Sequence, residues 1–76
     1  MINKNLERPL DLLNQSKGKK ILVSLKGDKT ISGTLLTFDI HINLVLENAK
    51  IIEDKKNLGL IFVRGDTINY ISPSEG

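Results

Sequence analysis

The stretch Phe38-Asp39-Ile40-His41-Ile42-Asn43-Leu44-Val45-Leu46 organises our interpretation of the chain, because it places a polar turn between two apolar strands. Its polar side chains stand at every second position, and polar residues on the loops of a rigid scaffold are where binding sites tend to lie. Asp39 and Asn43 are also common turn residues that hydrogen-bond to nearby backbone, and a histidine at a turn is commonly just solvated. Alone, the stretch predicts a strand, a turn and a strand, and it leaves the function open.

Short strands with period-two alternation account for most of the remaining sequence. In the first of them, Ile21, Val23 and Leu25 occupy one face. Turn signals at Gly27-Asp28 and Gly65-Asp66 separate neighbouring strands. The predicted strands cover about residues 21–26, 30–39, 43–52, 59–64 and 67–72, with a charged turn at 53–57. Regularly spaced short strands of this kind are typical of a small all-β barrel.

The second predicted strand carries a break in its alternation. Its apolar pattern slips by one residue between Leu35 and Leu36, shortly after Gly33. A phase slip close to a glycine indicates a β-bulge or a sharp bend. Sharp bending is how a short sheet curls into a small barrel, so this break fits a barrel.

The fourth predicted strand is apolar on both faces, with Leu60 and Phe62 facing one way and Ile61 and Val63 the other. Such a strand is normally covered on both sides. A chain of 76 residues is marginally stable alone. It has no cysteine for disulfides or thiolate metal sites, and its single histidine excludes a multi-histidine zinc site. A partner subunit is therefore a serious candidate for the second cover.

A short helix is predicted over residues 9–15, ahead of the strands. Pro9 suits the first turn of a helix, where its missing N–H is no loss. Leu10 and Leu13 form an apolar edge, and Gly18 ends the segment. We expect the leucines to cover part of the β core.

Charge and hydropathy indicate a broad class only. The net charge is +2 and the pI about 9.0, which is weak evidence for a nucleic-acid partner. Lysines concentrate in residues 17–29, and the sequence leaves open whether they form a surface for nucleic acid. No apolar run approaches the roughly 20 residues of a membrane span, and the first residues lack the apolar core of a signal peptide. We expect a cytoplasmic protein with no membrane partner.

A second stretch, Ile61-Phe62-Val63-Arg64-Gly65-Asp66, places a charged tip on an apolar strand. Arg64-Gly65-Asp66 is most simply a charged turn with an internal ion pair. A surface pair of that kind contributes only about 0–1 kcal/mol. Taken singly, none of its residues predicts a function.

Taken together, the two stretches resemble the two motifs of the Sm/LSm family, and most closely those of its archaeal Sm-like members. The first motif corresponds to residues 25–49, with Lys26-Gly27 in the first hairpin and Gly33 in the bent strand. The second corresponds to residues 61–73, with Arg64-Gly65-Asp66-Thr67-Ile68 followed by Tyr70-Ile71-Ser72-Pro73. The segment Arg8-Pro9-Leu10-Asp11-Leu12-Leu13 is similar to the helix that opens archaeal members.

Two features depart from the family pattern. Ile42 stands where the family usually has methionine, and we expect this exchange to be a tolerated apolar swap. The turn at residues 53–57 is short, which leaves less room for RNA contacts made by that loop.

The resemblance implies that residues 1–76 form a single Sm domain, in which a short N-terminal α-helix precedes a strongly bent five-stranded antiparallel barrel of the SH3-like or OB-like kind. It also implies a homo-oligomeric ring, heptameric in most archaeal relatives, in which the fourth strand of one subunit pairs with the fifth strand of the next. The implied function is the binding of single-stranded, uridine-rich RNA in support of RNA processing or ribonucleoprotein assembly, with no cofactor, no metal ion and no enzymatic activity.

The resemblance further implies a uridine pocket on the inner rim of the ring. Its residues at the matching motif positions are His41, Asn43, Arg64, Gly65 and Asp66, with Asp39 beside them. An imidazole and a guanidinium can sandwich a pyrimidine, and an asparagine amide offers a donor and an acceptor to the edge of uracil. Because cytosine presents the reverse pattern, a preference for uracil requires a carboxylate that fixes the amide. We expect Asp66 in this role, with Asp39 as the second choice.

Other classes of protein remain open at this point. A different small barrel that binds DNA or protein, such as an OB-fold or a chromatin-type SH3-like module, usually shows exposed aromatic residues on a strand face, whereas only Phe38, Phe62 and Tyr70 are aromatic here. The bacterial Hfq branch forms hexamers, but its second motif differs from Arg64-Gly65-Asp66. A purely structural oligomer with no RNA role is a further alternative.

An enzyme is the least favoured class. Ser32, His41 and Asp39 contain the side chains of a catalytic triad, but nothing marks a strained nucleophile elbow. The sequence also lacks a phosphate-binding glycine loop and a metal-ligand cluster.

Overall fold

An N-terminal helix followed by five antiparallel strands makes up the part of the chain, residues 9–74, that the computed structural model describes. This is the architecture predicted from the sequence. The elements are α1 (Pro9–Ser16), β1 (Lys20–Leu25), β2 (Lys29–Phe38), β3 (Leu44–Ile51), β4 (Lys56–Val63), a 3-10 helical turn (Gly65–Thr67) and β5 (Ile68–Pro73).

Helix α1 lies against the sheet through its leucines, as its apolar edge predicts. Leu13 is buried, and Leu10 packs against the core from its margin. The Ser16 hydroxyl donates to the Leu12 carbonyl oxygen over 2.9 Å, and Gly18 then adopts a φ of +80° that ends the helix. The Gly18 N–H donates to the Leu35 carbonyl oxygen over 2.7 Å, which ties the end of the helix to β2. Arg8, the first residue of the helix motif, lies outside the described residues.

The strands form one sheet in the order β4-β3-β2-β1-β5, so the fourth and fifth strands occupy its two edges. Within residues 9–74, each of these edge strands pairs with a single neighbour. The β1–β2 connection is the predicted tight turn. Leu25 pairs with Lys29, so the loop has three residues, of which Gly27 and Asp28 have positive φ, +89° and +65°, as short hairpin loops between right-twisted strands favour.

Strand β2 bends at two bulges, where the alternation of the sequence slips. Its register against β3 shifts between Ser32 and Thr34 and again between Leu35 and Thr37. At Gly33 a Cβ atom would lie 3.2 Å from the Leu46 Cβ, closer than side chains normally approach, so glycine permits the tight curl. The predicted bend is confirmed.

The core lies inside this curl and consists of alternate residues of several strands. The fully buried side chains of largest volume come from β1, β2 and β3 and are Ile21, Val23, Leu35, Leu44 and Leu46. Val63 is buried and Ile61 packs against the core, while Leu60 and Phe62 face outward, as the two-faced pattern of β4 predicts. None of the helices in residues 9–74 is long and apolar enough to cross a bilayer.

Every strand boundary lies within one residue of the prediction except the start of β4, which falls inside residues 53–57 that we predicted as a turn. Pro73, which we predicted to stop β5, lies within that strand. Strand β4 already begins at Lys56, whose backbone pairs with Ile51, because exposed polar side chains do not prevent backbone pairing. Pro73 is the last residue of β5 and pairs with Ile21. An edge strand accepts proline, since one side of its ladder needs no N–H donor.

The loop between β2 and β3 holds an unusual backbone conformation at Ile42, which has a φ of +63°. This region costs a residue with a Cβ about 1–2 kcal/mol, and a β-branched residue is a genuine outlier there. Ile42 packs against the core from its margin, so its apolar side chain is needed even though its branching is unfavourable. The expectation that isoleucine is a tolerated replacement for methionine stays a prediction, and the positive φ adds that isoleucine carries some strain at this position.

We predict that Ile42→Met raises the free energy of unfolding by about 0.5–1 kcal/mol, a fraction of the left-handed penalty, because methionine keeps the apolar contact without β-branching. Urea denaturation at matched protein concentration measures the change. Ile42→Val is the matched control, since valine retains the branch. An equal gain from both substitutions would show that the branching at this position carries no strain.

Candidate functional site

Two connections meet beside the end of β3, namely the loop of residues 39–43 before that strand and the turn of residues 64–67 after β4. The pairing of Leu44 with Val63 brings them together, because the residues just outside this pair, Asn43 and Arg64, are then neighbours across the sheet end. All the residues that the sequence assigned to the pocket lie on these two connections. We call the surface formed by His41, Asn43, Arg64 and Asp66 the base slot, after the ligand that the resemblance leads us to expect.

The Asp39 carboxylate organises the 39–43 loop. Its Oδ1 accepts the backbone N–H of His41 over 2.9 Å and that of Asn43 over 3.1 Å, and its Oδ2 accepts the Asn43 side-chain amide over 3.0 Å. Hydrogen bonds from the Asn43 side chain and backbone hold the pKa of the Asp39 carboxyl below its ordinary value. The group therefore stays ionised, and acceptor-only, throughout the pH range in which most proteins work.

The Asn43 side chain is fixed at both ends. Its Nδ2 donates to Asp39, while its Oδ1 accepts the Gly65 N–H over 2.7 Å. A flipped amide would point its oxygen at a carboxylate and its NH₂ at an N–H donor, so both contacts would become repulsive. One Nδ2 proton and one Oδ1 lone pair remain for a ligand, in a fixed order.

Asp39, the second choice from the sequence, occupies the role in which we expected Asp66. The expectation for Asp66 is wrong, because its carboxylate is paired with Arg64 instead. The physical reason is the geometry of the turn. An aspartate that opens a tight loop hydrogen-bonds readily to backbone and side chains a few residues further on.

Gly65 allows the two connections to come this close. A Cβ at this position would overlap the His41 carbonyl oxygen and lie 3.0 Å from the Ile42 carbonyl carbon. Glycine is therefore required because the two backbones approach closely. A left-handed φ is not the reason, because the φ of Gly65 lies outside that region. Its contribution to the site is the N–H that holds Asn43 and the space that lets the loops touch.

Arg64 and Asp66 form an exposed ion pair across the 64–67 turn. The Arg64 Nη2 and the Asp66 Oδ2 are 3.0 Å apart, and the two side chains are 71% and 65% exposed. A pair this exposed contributes about 0–1 kcal/mol at most. The guanidinium is therefore held in place lightly and keeps an open face, and the His41 side chain is exposed on the adjoining loop.

Two residues that support the turn, Thr67 and Lys26, were named as motif members in the sequence analysis but were given no role there. The Thr67 hydroxyl and N–H both donate to the Arg64 carbonyl oxygen, over 2.7 and 3.1 Å. The Thr67 carbonyl oxygen then accepts the Lys26 N–H over 2.8 Å. The sequence contained a signal for the role of Thr67, namely a threonine directly after a charged turn. Its hydroxyl can hydrogen-bond to nearby backbone and so stabilise the turn.

The catalytic-triad arrangement is not assembled. Ser32 is buried in the middle of the sheet, where its backbone pairs with Leu22 and Lys50, away from the 39–43 loop. Asp39 binds the backbone of His41 and the side chain of Asn43. The described residues also contain no group of three or more side chains that could hold a metal ion.

A largely apolar cleft of about 340 Å³ lies behind the base slot, between α1 and β5. It adjoins the base slot, because His41 belongs to both, whereas Asn43 and Arg64 are not among its lining residues. Its lining residues are Leu12, Leu13, His41, Ile42, Gly65, Ile68, Asn69, Tyr70 and Ile71.

Comparisons with known proteins agree with this fold. Residues 11–73 match the LSM domain family. An snRNP Sm-like protein of Thermococcus sibiricus is 46% identical over 72 residues, which cover 91% of this chain and 95% of the relative.

Two solved structures are similar throughout. The Sm protein of Pyrococcus abyssi in complex with a uridine heptamer has a TM-score of 0.84 and 44% identity, and the match covers 90% of this chain and all of that one. The SmAP1 heptamer of Pyrobaculum aerophilum has a TM-score of 0.84 and 40% identity, and the match covers 90% of this chain and 95% of that one. The chain therefore belongs to the Sm/LSm family and is similar over most of its length to the archaeal Sm-like proteins.

Proposed function

We propose that this protein is the subunit of a homo-oligomeric ring that binds single-stranded, uridine-rich RNA, one base in each base slot. The observation that carries the proposal is the doubly fixed amide of Asn43, because it presents a donor and an acceptor in one order only. Family membership supports it, since Sm-like proteins are RNA-binding proteins and not enzymes. The Pyrococcus abyssi relative, solved with a uridine heptamer, supports it further.

The fixed amide explains a preference for uracil. The free Nδ2 proton of Asn43 can be donated to a uracil carbonyl oxygen, and the free lone pair of Oδ1 can accept the uracil ring N–H. Cytosine places an acceptor and a donor where uracil has a donor and an acceptor, so both contacts would oppose it. A site that hydrogen-bonds one partner leaves its own groups unpaired with the other, and that asymmetry gives strong discrimination.

His41 and Arg64 would hold the two faces of the base. Both side chains are exposed and lie on the two connections that Asn43 and Gly65 join. Stacking of a base on a planar side chain contributes about 1–3 kcal/mol. Asp66 keeps the guanidinium on the rim through the exposed ion pair, so its role is to position Arg64.

We predict that Arg64→Ala abolishes measurable binding of a uridine heptamer while the ring stays intact. The variant loses a stacking free energy of about 1–3 kcal/mol in each slot. Because every subunit carries the change, the ring also loses the successive intramolecular contacts that raise avidity by roughly 10²–10⁴. Fluorescence titration and light scattering measure the two quantities. Lys50→Ala, an exposed change on β3, is the control. Tight binding by the Arg64 variant would exclude the stacking role, and a collapsed ring would make Arg64 a structural residue.

We predict that Asp39→Asn lowers the ratio of oligo-U to oligo-C affinity about tenfold or more. The corresponding free energy is of the order of one lost charge-assisted hydrogen bond. An asparagine at position 39 can present its NH₂ to Asn43, which favours the flipped amide. Asp66→Asn is the matched control, because Asp66 does not contact Asn43 in the structure. A change in the ratio for Asp66→Asn alone would reverse our assignment of the two carboxylates.

The two sheet edges and the apolar surfaces beside them support ring assembly. On β4, Leu60 and Phe62 are 68% and 62% exposed, and on β5 Tyr70 is 66% exposed. Unpaired edges flanked by apolar side chains invite pairing with another chain, and β4 of one subunit against β5 of the next leaves no edge free in a closed ring. The cleft between α1 and β5 lies at the receiving edge, where it can accept apolar side chains from β4 of the neighbour.

We predict that Phe62→Asp shifts the assembly to smaller species at micromolar protein concentration, since it places an unpaired charge in the proposed interface. Native mass spectrometry measures the subunit number, for which the P. aerophilum relative suggests seven. Leu36→Asp is the control, because Leu36 is an exposed apolar residue on the central strand β2. An unchanged ring with Phe62→Asp, or equal losses with both variants, would contradict this interface.

A purely structural oligomer is the competing function, and a uridine-heptamer titration followed by native mass spectrometry separates the two. Occupancy of the ring by RNA supports our proposal, whereas an empty ring at saturating RNA supports the alternative. A cytoplasmic location and a part in RNA processing or ribonucleoprotein assembly stay predictions from the sequence.

A further inference from the structure

We propose that Ile40, at the tip of the 39–43 loop, packs against the ribose of the nucleotide whose base occupies the base slot. The inference rests on the proposed function and adds a contact that none of the four slot residues supplies. An aliphatic side chain makes neither hydrogen bonds nor ion pairs, so this contact contributes affinity that depends little on salt and leaves base preference to Asn43.

Ile40 is the most exposed large apolar side chain in residues 9–74, at 76%. The next three, Leu60, Phe62 and Tyr70, lie on the edge strands β4 and β5, where the next subunit of the proposed ring covers them. Ile40 lies in a connection between strands, so the pairing of β4 with β5 does not account for its exposure.

The position of Ile40 distinguishes it from the single apolar residues that are common on protein surfaces. The Ile42 N–H donates to the Asp39 carbonyl oxygen over 3.0 Å, so Ile40 and His41 are the two central residues of a β-turn. Glycine, proline and small polar residues dominate such positions. Within residues 9–74, Ile40 is not among the apolar side chains that pack against the core. Neither the turn nor the core therefore explains an isoleucine here.

The turn places Ile40 within reach of a nucleotide held by His41. Adjacent Cα atoms lie about 3.8 Å apart, and His41 is the residue that we propose to stack on one face of the base. The ribose is bonded directly to that base, so a side chain next to the stacking residue can contact it. The Asp39 Oδ1 accepts the His41 N–H over 2.9 Å, which holds the turn in one arrangement before RNA binds.

The chemistry of an isoleucine selects the ribose among the parts of the nucleotide. The edge of the base is assigned to Asn43, and its two faces are assigned to His41 and Arg64. A phosphate would lose its hydration against an aliphatic side chain without gaining a partner. The ribose presents C–H groups, which pack against an aliphatic side chain through dispersion contacts.

The charge of the base slot shows why an uncharged contact is useful there. The charged side chains of its two connections are Asp39, Arg64 and Asp66, with a net charge of −1 when His41 is neutral. Arg64 is paired with Asp66. RNA brings one negative charge with every nucleotide, so these side chains together do not attract it. An apolar contact adds affinity without opposing that charge.

The test compares Ile40→Ser with Ile52→Ser, a matched change of an isoleucine that is 43% exposed in the turn between β3 and β4. The dissociation constant of a uridine heptamer is measured for intact rings over a series of salt concentrations, together with the ratio of oligo-U to oligo-C affinity. Light scattering and urea denaturation establish whether each variant has the mass and the stability of the unaltered ring.

We expect Ile40→Ser to weaken binding of the uridine heptamer about tenfold or more, because partial burial of an aliphatic side chain is lost in every occupied slot. The slope of log K against log salt should not change, since no phosphate contact is removed. The ratio of oligo-U to oligo-C affinity should also stay the same. Ile40→Leu should restore the affinity, because it restores the apolar surface, and Ile52→Ser should bind like the unaltered ring.

Three results would overturn the inference while the proposed function stands. Unchanged affinity of Ile40→Ser would show that this residue does not touch the RNA. A smaller or less stable ring would show that Ile40 packs against another part of the assembly. A changed base preference or salt slope would show that the substitution acts through the slot residues. If the unaltered ring itself binds no uridine heptamer, the proposed function fails and the ribose contact fails with it.

Discussion

The hydrogen bond from the Gly65 N–H to the Asn43 Oδ1 is the contact on which the functional surface depends. It joins two connections that are 22 residues apart in the sequence, over 2.7 Å. Because Asp39 holds the other end of the same amide, the contact determines both where the two loops meet and which way the amide points. A loop otherwise free to move is thereby given one arrangement, and a binding site needs that kind of preorganisation.

The backbone around this contact adopts conformations that ordinary side chains resist. Glycine at position 65 is required because a Cβ would overlap the 39–43 loop, and Ile42 in that loop has a positive φ. Backbone strain persists only where the surrounding structure over-determines it, and it concentrates at functional sites. Here the surrounding structure is the β3–β4 pairing and the three hydrogen bonds accepted by Asp39.

The same small size that limits the core also explains the open edges of the sheet. The bulged β2 strand curls the sheet around a few buried side chains, while β4 and β5 stay at the margins with apolar groups exposed. A second copy covering these margins would add buried apolar area at about 25 cal/mol per Å². In the proposed assembly, stability and function coincide, because the edges that need a partner flank the loops that carry the base slot.

Sequence patterns alone were enough to predict the architecture and to select candidate residues for the site. Period-two alternation and turn residues located the five strands, the slip at Leu35 located a bulge, and the two motifs selected the residues that we propose for the base slot. These features are local, so a short window of sequence contains them. The tertiary structure alone decided which partners those residues take. In the structure the Asn43 amide is hydrogen-bonded to Asp39 and not to Asp66, which pairs with Arg64. Ile42 has a positive φ, and the Lys26 N–H is hydrogen-bonded to the Thr67 carbonyl oxygen. Such choices depend on distances between segments far apart in the chain, and no spacing within a strand or turn encodes them.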